Sequence, residues 1–348
     1  MSLPAPRTAD PQDAPAIRWG ILAPGGIART FATAVAVGTG SSVVAVGSRS
    51  TERAQAFADD HGIARVHGSY EDLVADEEVD AVYVASPHSA HHEHALLCLR
   101  AGKPVLVEKA FTRNVPEATE VLEVARAAGL LVAEAMWSRY LPHYDVVRQA
   151  VETGLLGDLV QVSADHGQLL HPDGPARLAQ PELAGGALLD LGVYPISFAD
   201  MVLAAAGAGG VSADSVSATA TLTDLGVDAH TTVVVASEAG ARGVLTSTMS
   251  AATPCVAVVS GTRARLELDR TFYNPTLVRL VSSDGTVVDE FDGQFDKARG
   301  FSYEAAEFAR ALTDGDTQTA SMPHAATMRV MAAMDEVRRQ VGVTYPGE

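Results

Sequence analysis

Between residues 17 and about 134, short apolar runs alternate with amphipathic stretches of helical spacing, and no other feature restricts the fold of this chain as much. The apolar runs at 17–23, 43–47, 81–85, 105–107 and 130–133 have the length of strands, and the stretches 27–37, 51–61, 90–101 and 116–128 fit helices. Strand–helix–strand repetition of this kind builds right-handed βαβ units whose parallel sheet is covered on both faces. Gly102 and Gly129 stand just past two of the helices, where a left-handed residue closes the last turn.

Beyond Pro142 the pattern changes. A helix over 144–153 leads to a strand over 159–165, a loop containing Pro and Gly, and a helix over 186–205. Strand-like stretches then follow at 212–222, 229–237, 242–250, 256–260, 264–268, 277–282 and 287–291, and helices over 303–312 and 324–341 close the chain. Successive strands joined by turns such as Ser283-Asp284-Gly285 indicate antiparallel pairing. The expected class is α/β: a doubly wound parallel sheet over 17–138, then an α+β domain over 139–348 with a large, open, mostly antiparallel sheet. Two domains of roughly 150 residues account for a chain of 348. Residues 1–16, rich in Pro, Ala and Asp, read as a disordered tail, since they carry neither an apolar signal core nor twin arginines.

Twenty-five basic against 43 acidic residues give a formal charge of −18, which argues against nucleic acid or an anionic membrane as partner. Any phosphate site must therefore be locally basic. No apolar run reaches the roughly 18 residues of a membrane span. Cys98 and Cys255, far apart and outside any C-x-x-C, read as reduced core thiols of a cytoplasmic protein.

Open parallel sheets bind ligands outside the carboxyl ends of their strands. The first strand runs into Leu22-Ala23-Pro24-Gly25-Gly26-Ile27-Ala28-Arg29, which fits G-x-G-x-x-G/A with Ala23 in place of the first glycine, implying a slightly altered turn. Gly25 lets the backbone approach a pyrophosphate, Ala28 permits close helix–strand packing, and the helix start supplies N–H groups. A dinucleotide is the expected ligand. An NAD site usually places a carboxylate at the end of the second strand. Here that strand ends in Ser48-Arg49-Ser50, with Arg53 following. A hydroxyl and guanidinium groups suit a 2′-phosphate, so NADP is the expected cofactor, with NAD as the second option. Ser86, Pro87 and His88 follow another strand and form the crevice lip. Glu108 and Lys109 leave the run Val105-Leu106-Val107, which directs the Lys109 ammonium to the same side, where it can polarise a carbonyl or hold a hydroxyl.

Several of these segments together resemble the Gfo/Idh/MocA oxidoreductases: Gly20-Ile21-Leu22 with its turn, Ser86-Pro87 with His91, and Gly102-Lys103-Pro104-Val105-Leu106-Val107-Glu108-Lys109-Ala110. Gly185-Gly186-Ala187-Leu188-Leu189-Asp190-Leu191-Gly192-Val193-Tyr194-Pro195 resembles that family's second signature. The stretch from Ala133 to Pro142, with Trp137 and Arg139, is similar to the branch of dimeric dihydrodiol and NADP-dependent xylose dehydrogenases. The resemblance spans about 17–346. Ala110 departs from it where proline is usual, Ala184 where glycine is common, and Tyr194 where the wider family has histidine but this branch has tyrosine.

The resemblance implies a Rossmann domain, a C-terminal domain for substrate and for pairing into a homodimer through its sheet, and hydride transfer between a nicotinamide and a sugar or vicinal diol. It assigns Lys109 and Tyr194 as the chemical pair and Asp190, four residues before Tyr194 on one helix face, as support. Lys109 and Tyr194, from separate domains, are expected to face the nicotinamide C4. Trp137, Arg139 and His171 are candidate pocket residues, the first two beside the cofactor and Trp137 and His171 toward substrate. His88, His91, His92 and His94 lack the companions of a metal site, and none is expected. The rival readings are an inositol or anhydrosugar dehydrogenase of the same family and a catalytically silent, dinucleotide-sensing regulator.

Overall fold

In the computed structural model, which describes residues 1–237 and 239–348, the N-terminal alternation becomes a six-stranded parallel sheet. Its elements are β1 (Arg18–Leu22), α1 (Gly26–Gly38), β2 (Ser42–Gly47), α2 (Thr51–His61), β3 (Arg65–His67), α3 (Tyr70–Val74), β4 (Ala81–Val84), α4 (His88–Arg100), β5 (Val105–Glu108), α5 (Val115–Ala128) and β6 (Val132–Ala135). The strand order is β3-β2-β1-β4-β5-β6, so the direction of winding reverses between β1 and β4, the position at which such sheets bind dinucleotides. Every residue of β4, β5 and β6 is buried, which is why these strands are apolar rather than alternating, interrupted only by Glu108 in β5 and Glu134 in β6.

β3 and α3 have no counterpart in the expected elements. β3 is a three-residue edge strand whose Arg65 and His67 bind the buried Asp76 carboxylate at 2.6 and 2.8 Å. Ionic pairing holds it where apolar periodicity is lacking. β6 starts two residues later than expected, because Gly129 adopts φ +63° and the Leu130 N–H is used by Ala125 O in closing α5.

Contacts divide the chain into two units. One comprises Ala9–Tyr140 and Asp296–His324, the other Met1–Thr8, Leu141–Phe295 and Ala325–Glu348. The division differs from the expected boundary at 138/139 because α8 (Phe301–Asp314) joins the parallel-sheet unit. Phe308 lies 5.0 Å from the Trp19 ring, and Ala305 and Ala309 share the core that holds Phe31 and Tyr83, themselves stacked at 3.8 Å. Burying Phe308 contributes about 1.5–3 kcal/mol. The first residues also differ from the expected disordered tail. Arg7 donates from its backbone and side chain to Asp145, Leu3 N to Asp289, and Asp10 caps a short turn at Pro11–Asp13.

The second unit contains α6 (Pro142–Glu152), β7 (Leu159–Gly167), α7 (Val193–Ala205), β8 (Ser217–Leu222), β9 (Asp228–Ala236), β10 (Arg242–Thr248), β11 (Ala257–Gly261), β12 (Ala264–Leu268), β13 (Leu277–Ser282), β14 (Val287–Asp292) and most of α9 (His324–Val341). Eight strands form one sheet in the order β14-β13-β12-β11-β7-β10-β9-β8, antiparallel except for β7 beside β10. α7 packs on β7 and β10. The opposite face stays open, with Val234 and Val244 paired across β9 and β10 at 37% and 39% exposure. The segment Pro181–Ala205 is long and apolar enough to cross a membrane, but 94% of its apolar window is buried within the protein, as in a core helix.

Candidate active site

The turn after β1 has the shape a pyrophosphate requires. Ala23 adopts φ +69°, the left-handed conformation that favours glycine, so the backbone takes the bend despite the alanine. Pro24 and Ile27 are half-buried around it, Ala28 is fully buried in the core, and a Cβ on Gly25 or Gly26 would meet nothing within 4 Å. No side chain caps α1, so its first N–H groups are left without a side-chain partner, as a helix start that receives a phosphate requires.

At the end of β2, Ser48 is buried and its hydroxyl accepts from Ser50 N at 3.2 Å, while Ser50 Oγ accepts from Arg53 N and caps α2. Arg49 and Arg53 are exposed, and neither forms an ion pair among the described residues. Two uncompensated guanidinium groups in an acidic protein provide the local basicity a 2′-phosphate needs.

The loops after β4 and β5 are joined by His91. Its ring nitrogens lie 2.8 Å from Ser86 O and 2.8 Å from Ala110 O, which ties the residue after Lys109 to the lip after β4. Burial pushes the imidazole pKa down to about 4. His94 Nδ1 meets Ser86 Oγ at 2.9 Å, His88 lies edge-on to His91 at 5.5 Å, and His92 pairs with Glu120. His91 and His94 thus both meet Ser86 while His92 pairs elsewhere, and no group of three metal-binding side chains occurs among the described residues.

Lys109 is half-buried at the end of β5, and its N–H donates to Glu108 Oε2 at 3.2 Å. Glu108 Oε1 accepts from the Tyr83 hydroxyl. Behind this strand lies Glu304 of α8, fully buried, with no hydrogen-bond partner for either oxygen among the described residues. Burial, with the nearby Glu108 carboxylate, pushes its pKa well above the usual carboxylate range. Trp137 is buried against Phe301, ring centroids 4.4 Å apart and nearly parallel, with the Lys297 ammonium 5.9 Å over it, and Arg139 is also buried.

In the second unit, the 185–195 signature starts one helix, a single π turn (Leu188–Gly192) continuing into α7. Asp190 and Tyr194 are both 8% exposed. Arg177 Nη2 reaches the two Asp190 oxygens at 3.2 and 3.3 Å. Tyr194 packs against both His166 (5.1 Å) and Tyr273 (4.9 Å), whose rings stack on each other at 4.1 Å. His166 Nδ1 lies 3.1 Å from Leu191 O and its Nε2 lies 2.9 Å from Gln168 Nε2, so both ring nitrogens have protein partners. Burial pushes the Tyr273 phenol up. His171 is half-buried and donates its N–H to Met249 O.

Arg177, His166, Tyr273 and Glu304 were not singled out by sequence. Only Glu304 carried a readable signal. It sits three residues after Phe301 and four before Phe308, on the apolar stripe of its helix, where a carboxylate is out of place.

The fold and these two residue groups describe a dinucleotide-dependent oxidoreductase of the two-domain kind. A profile described as "Oxidoreductase family, NAD-binding Rossmann fold" matches residues 17–136, and the GFO/IDH/MocA C-terminal domain matches residues 144–267. The chain is 35% identical to trans-1,2-dihydrobenzene-1,2-diol dehydrogenase of Bos taurus, over 95% of this chain and 98% of that one. It is also 35% identical to D-xylose 1-dehydrogenase (NADP(+)) of Hypocrea jecorina, over 95% and 93%. Among solved structures, a 3-ketoreductase from Actinomadura kijaniata in complex with NADP superposes with TM-score 0.80 at 29% identity, covering 94% of this chain and 98% of that one. That ketoreductase has also been solved with a tyrosine replaced by phenylalanine and with a lysine replaced by alanine. The chain belongs to the Gfo/Idh/MocA family of oxidoreductases.

Proposed function

We propose that this protein is an NADP-dependent dehydrogenase that transfers a hydride between the nicotinamide and a secondary or hemiacetal hydroxyl of a sugar or vicinal diol. The observation that carries the reading is the presence of Lys109, Asp190 and Tyr194 in a chain about one-third identical, end to end, to dehydrogenases of both substrate classes. The preference for NADP is supported by the unpaired Arg49 and Arg53 and by the missing carboxylate after β2.

When bound, the nicotinamide supplies or accepts the hydride. The work of the chain is electrostatic and protonic. The Lys109 ammonium hydrogen-bonds the reacting oxygen and favours its alkoxide character; Tyr194, as the phenolate that such an ammonium favours, takes the hydroxyl proton on oxidation, and as the phenol returns it on reduction. Asp190, held by Arg177, presents a carboxylate to neighbouring substrate hydroxyls. Ser86, Pro87, His88 and Glu108 line the nicotinamide side, with Trp137 and Arg139 behind, and His171 belongs to the substrate side. Pairing into a homodimer through the open sheet face is part of the reading, supported by its exposed valines. So is a cytoplasmic location, supported by two buried cysteines that form no disulfide.

The test is NADPH formation, followed at 340 nm, with D-xylose, other aldoses and trans-dihydrodiols, with NADP and NAD in separate arms. Turnover of an aldose or diol with NADP supports the assignment. NADP binding without turnover of any of them sinks it in favour of a silent regulator.

A further inference from the structure

We infer that Asp228, the first residue of β9, is a positioning residue for the reaction: its buried carboxylate holds the start of the helix that carries Asp190 and Tyr194. The inference rests on the role proposed above for those two side chains.

The helix cannot cap itself. Ala187 occupies its N-cap position and makes no side-chain hydrogen bond. Asp228 supplies what is missing from 40 residues away. Its Oδ2 accepts from Leu188 N at 2.7 Å and from the Thr231 hydroxyl at 3.0 Å. Oδ1 sits against the Gly186 backbone, where a Cβ would fall 2.2 Å from it. Gly186 also has φ +108°, so the second glycine of the signature is required both by its own backbone and by this carboxylate. The first glycine is fixed independently. Tyr345 donates to Gly185 O at 2.9 Å, and a Cβ on Gly185 would lie 2.6 Å from Leu178 O.

Asp228 is 1% exposed, and a carboxylate so placed is costly unless its hydrogen bonds are worth having. Here they fix Leu188, two residues before Asp190 and six before Tyr194, on a helix that transmits any slip directly to both side chains. His166 holds Leu191 O three residues on, so the segment is pinned at two points, the second three residues before Tyr194.

The experiment compares Asp228→Ala, Asp228→Asn, Thr231→Val and Tyr194→Phe in full-length protein. It uses D-xylose, or whichever aldose or diol turns over, and measures NADP affinity by fluorescence titration and folding by thermal melts. Asp228→Ala is expected to lower kcat by about ten- to a hundredfold, the scale of a misplaced catalytic group, with NADP affinity unchanged. Asp228→Asn, whose amide oxygen still accepts from Leu188 N, is expected to recover kcat to within about threefold of the parent. Thr231→Val removes one orienting donor, and a fall in kcat of about threefold or more is expected, which decides the matter if the alanine variant does not fold. Parental kcat in the alanine and valine variants, or an asparagine variant as impaired as alanine, overturns the positioning role. Tyr194→Phe keeps the two failures apart. Full turnover in that variant defeats the reading of the site itself, whereas loss there beside unaffected Asp228 variants defeats only the inference about Asp228.

Discussion

Glu304→Gln should make this protein's stability less sensitive to pH, by an amount that the surroundings of Glu304 set. The carboxyl is fully buried, finds no hydrogen-bond donor for either oxygen among the described residues, and feels the neighbouring Glu108. Both effects disfavour the anion. In the unfolded chain the same group ionises near pH 4.3. A folded state that keeps a proton the unfolded state gives up is most stable below that unfolded pKa, and loses stability as pH rises. The slope is about 1.4 kcal/mol per pH unit for as long as the folded carboxyl stays protonated. Glutamine has nearly the same shape and no proton to lose. The variant should therefore gain on the parent steadily from pH 5 through 6 to 7, by on the order of 1 kcal/mol per unit while the folded carboxyl keeps its proton. Urea unfolding followed by circular dichroism at these three pH values, without cofactor, measures the difference. Asp228, whose burial pushes its pKa up to about 7, contributes to both proteins and cancels. Parallel pH profiles for the two proteins would show that Glu304 is ionised in the fold, contrary to the argument.

Lys109→Ala should abolish turnover while NADP still quenches protein fluorescence, and unchanged turnover would remove Lys109 from the mechanism. Arg49→Asp should move the NADP/NAD ratio of kcat/KM toward NAD by about tenfold or more, the scale of a lost charge-assisted contact, and an unaltered ratio would contradict the 2′-phosphate assignment. Ala23→Gly relieves a left-handed alanine at a cost of about 1–2 kcal/mol and gives back about 0.5–1 kcal/mol in chain entropy. A net gain of roughly 0.5–1 kcal/mol in chemical denaturation is expected, and a loss would mean that the turn does not hold the alanine under strain.

Much of the parallel-sheet unit could be read directly, because strands buried on both faces must be continuous apolar runs and β1, β2, β4 and β5 are such runs. The helix ends marked by Gly102 and Gly129 were equally legible, since both residues take positive φ there, +78° and +63°. α8 looked like one more helix of the C-terminal domain. Its apolar face is compatible with any core, and only the three-dimensional fit of Phe308 against Trp19 assigns it. At the candidate site, residues in contiguous motifs were visible: Gly25, Lys109, Asp190 and Tyr194. Arg177, Tyr273 and Asp228 were hidden because each acts across tens of residues, through an ion pair, a ring contact or a hydrogen bond that no local spacing encodes.

The placement of α8 has a consequence for biosynthesis. A ribosome must complete the entire antiparallel sheet before the helix that seals Trp19 and Phe31 emerges. Until then the nascent nucleotide-binding half lacks the helix that covers these rings, so completing its core waits on about the last seventh of translation.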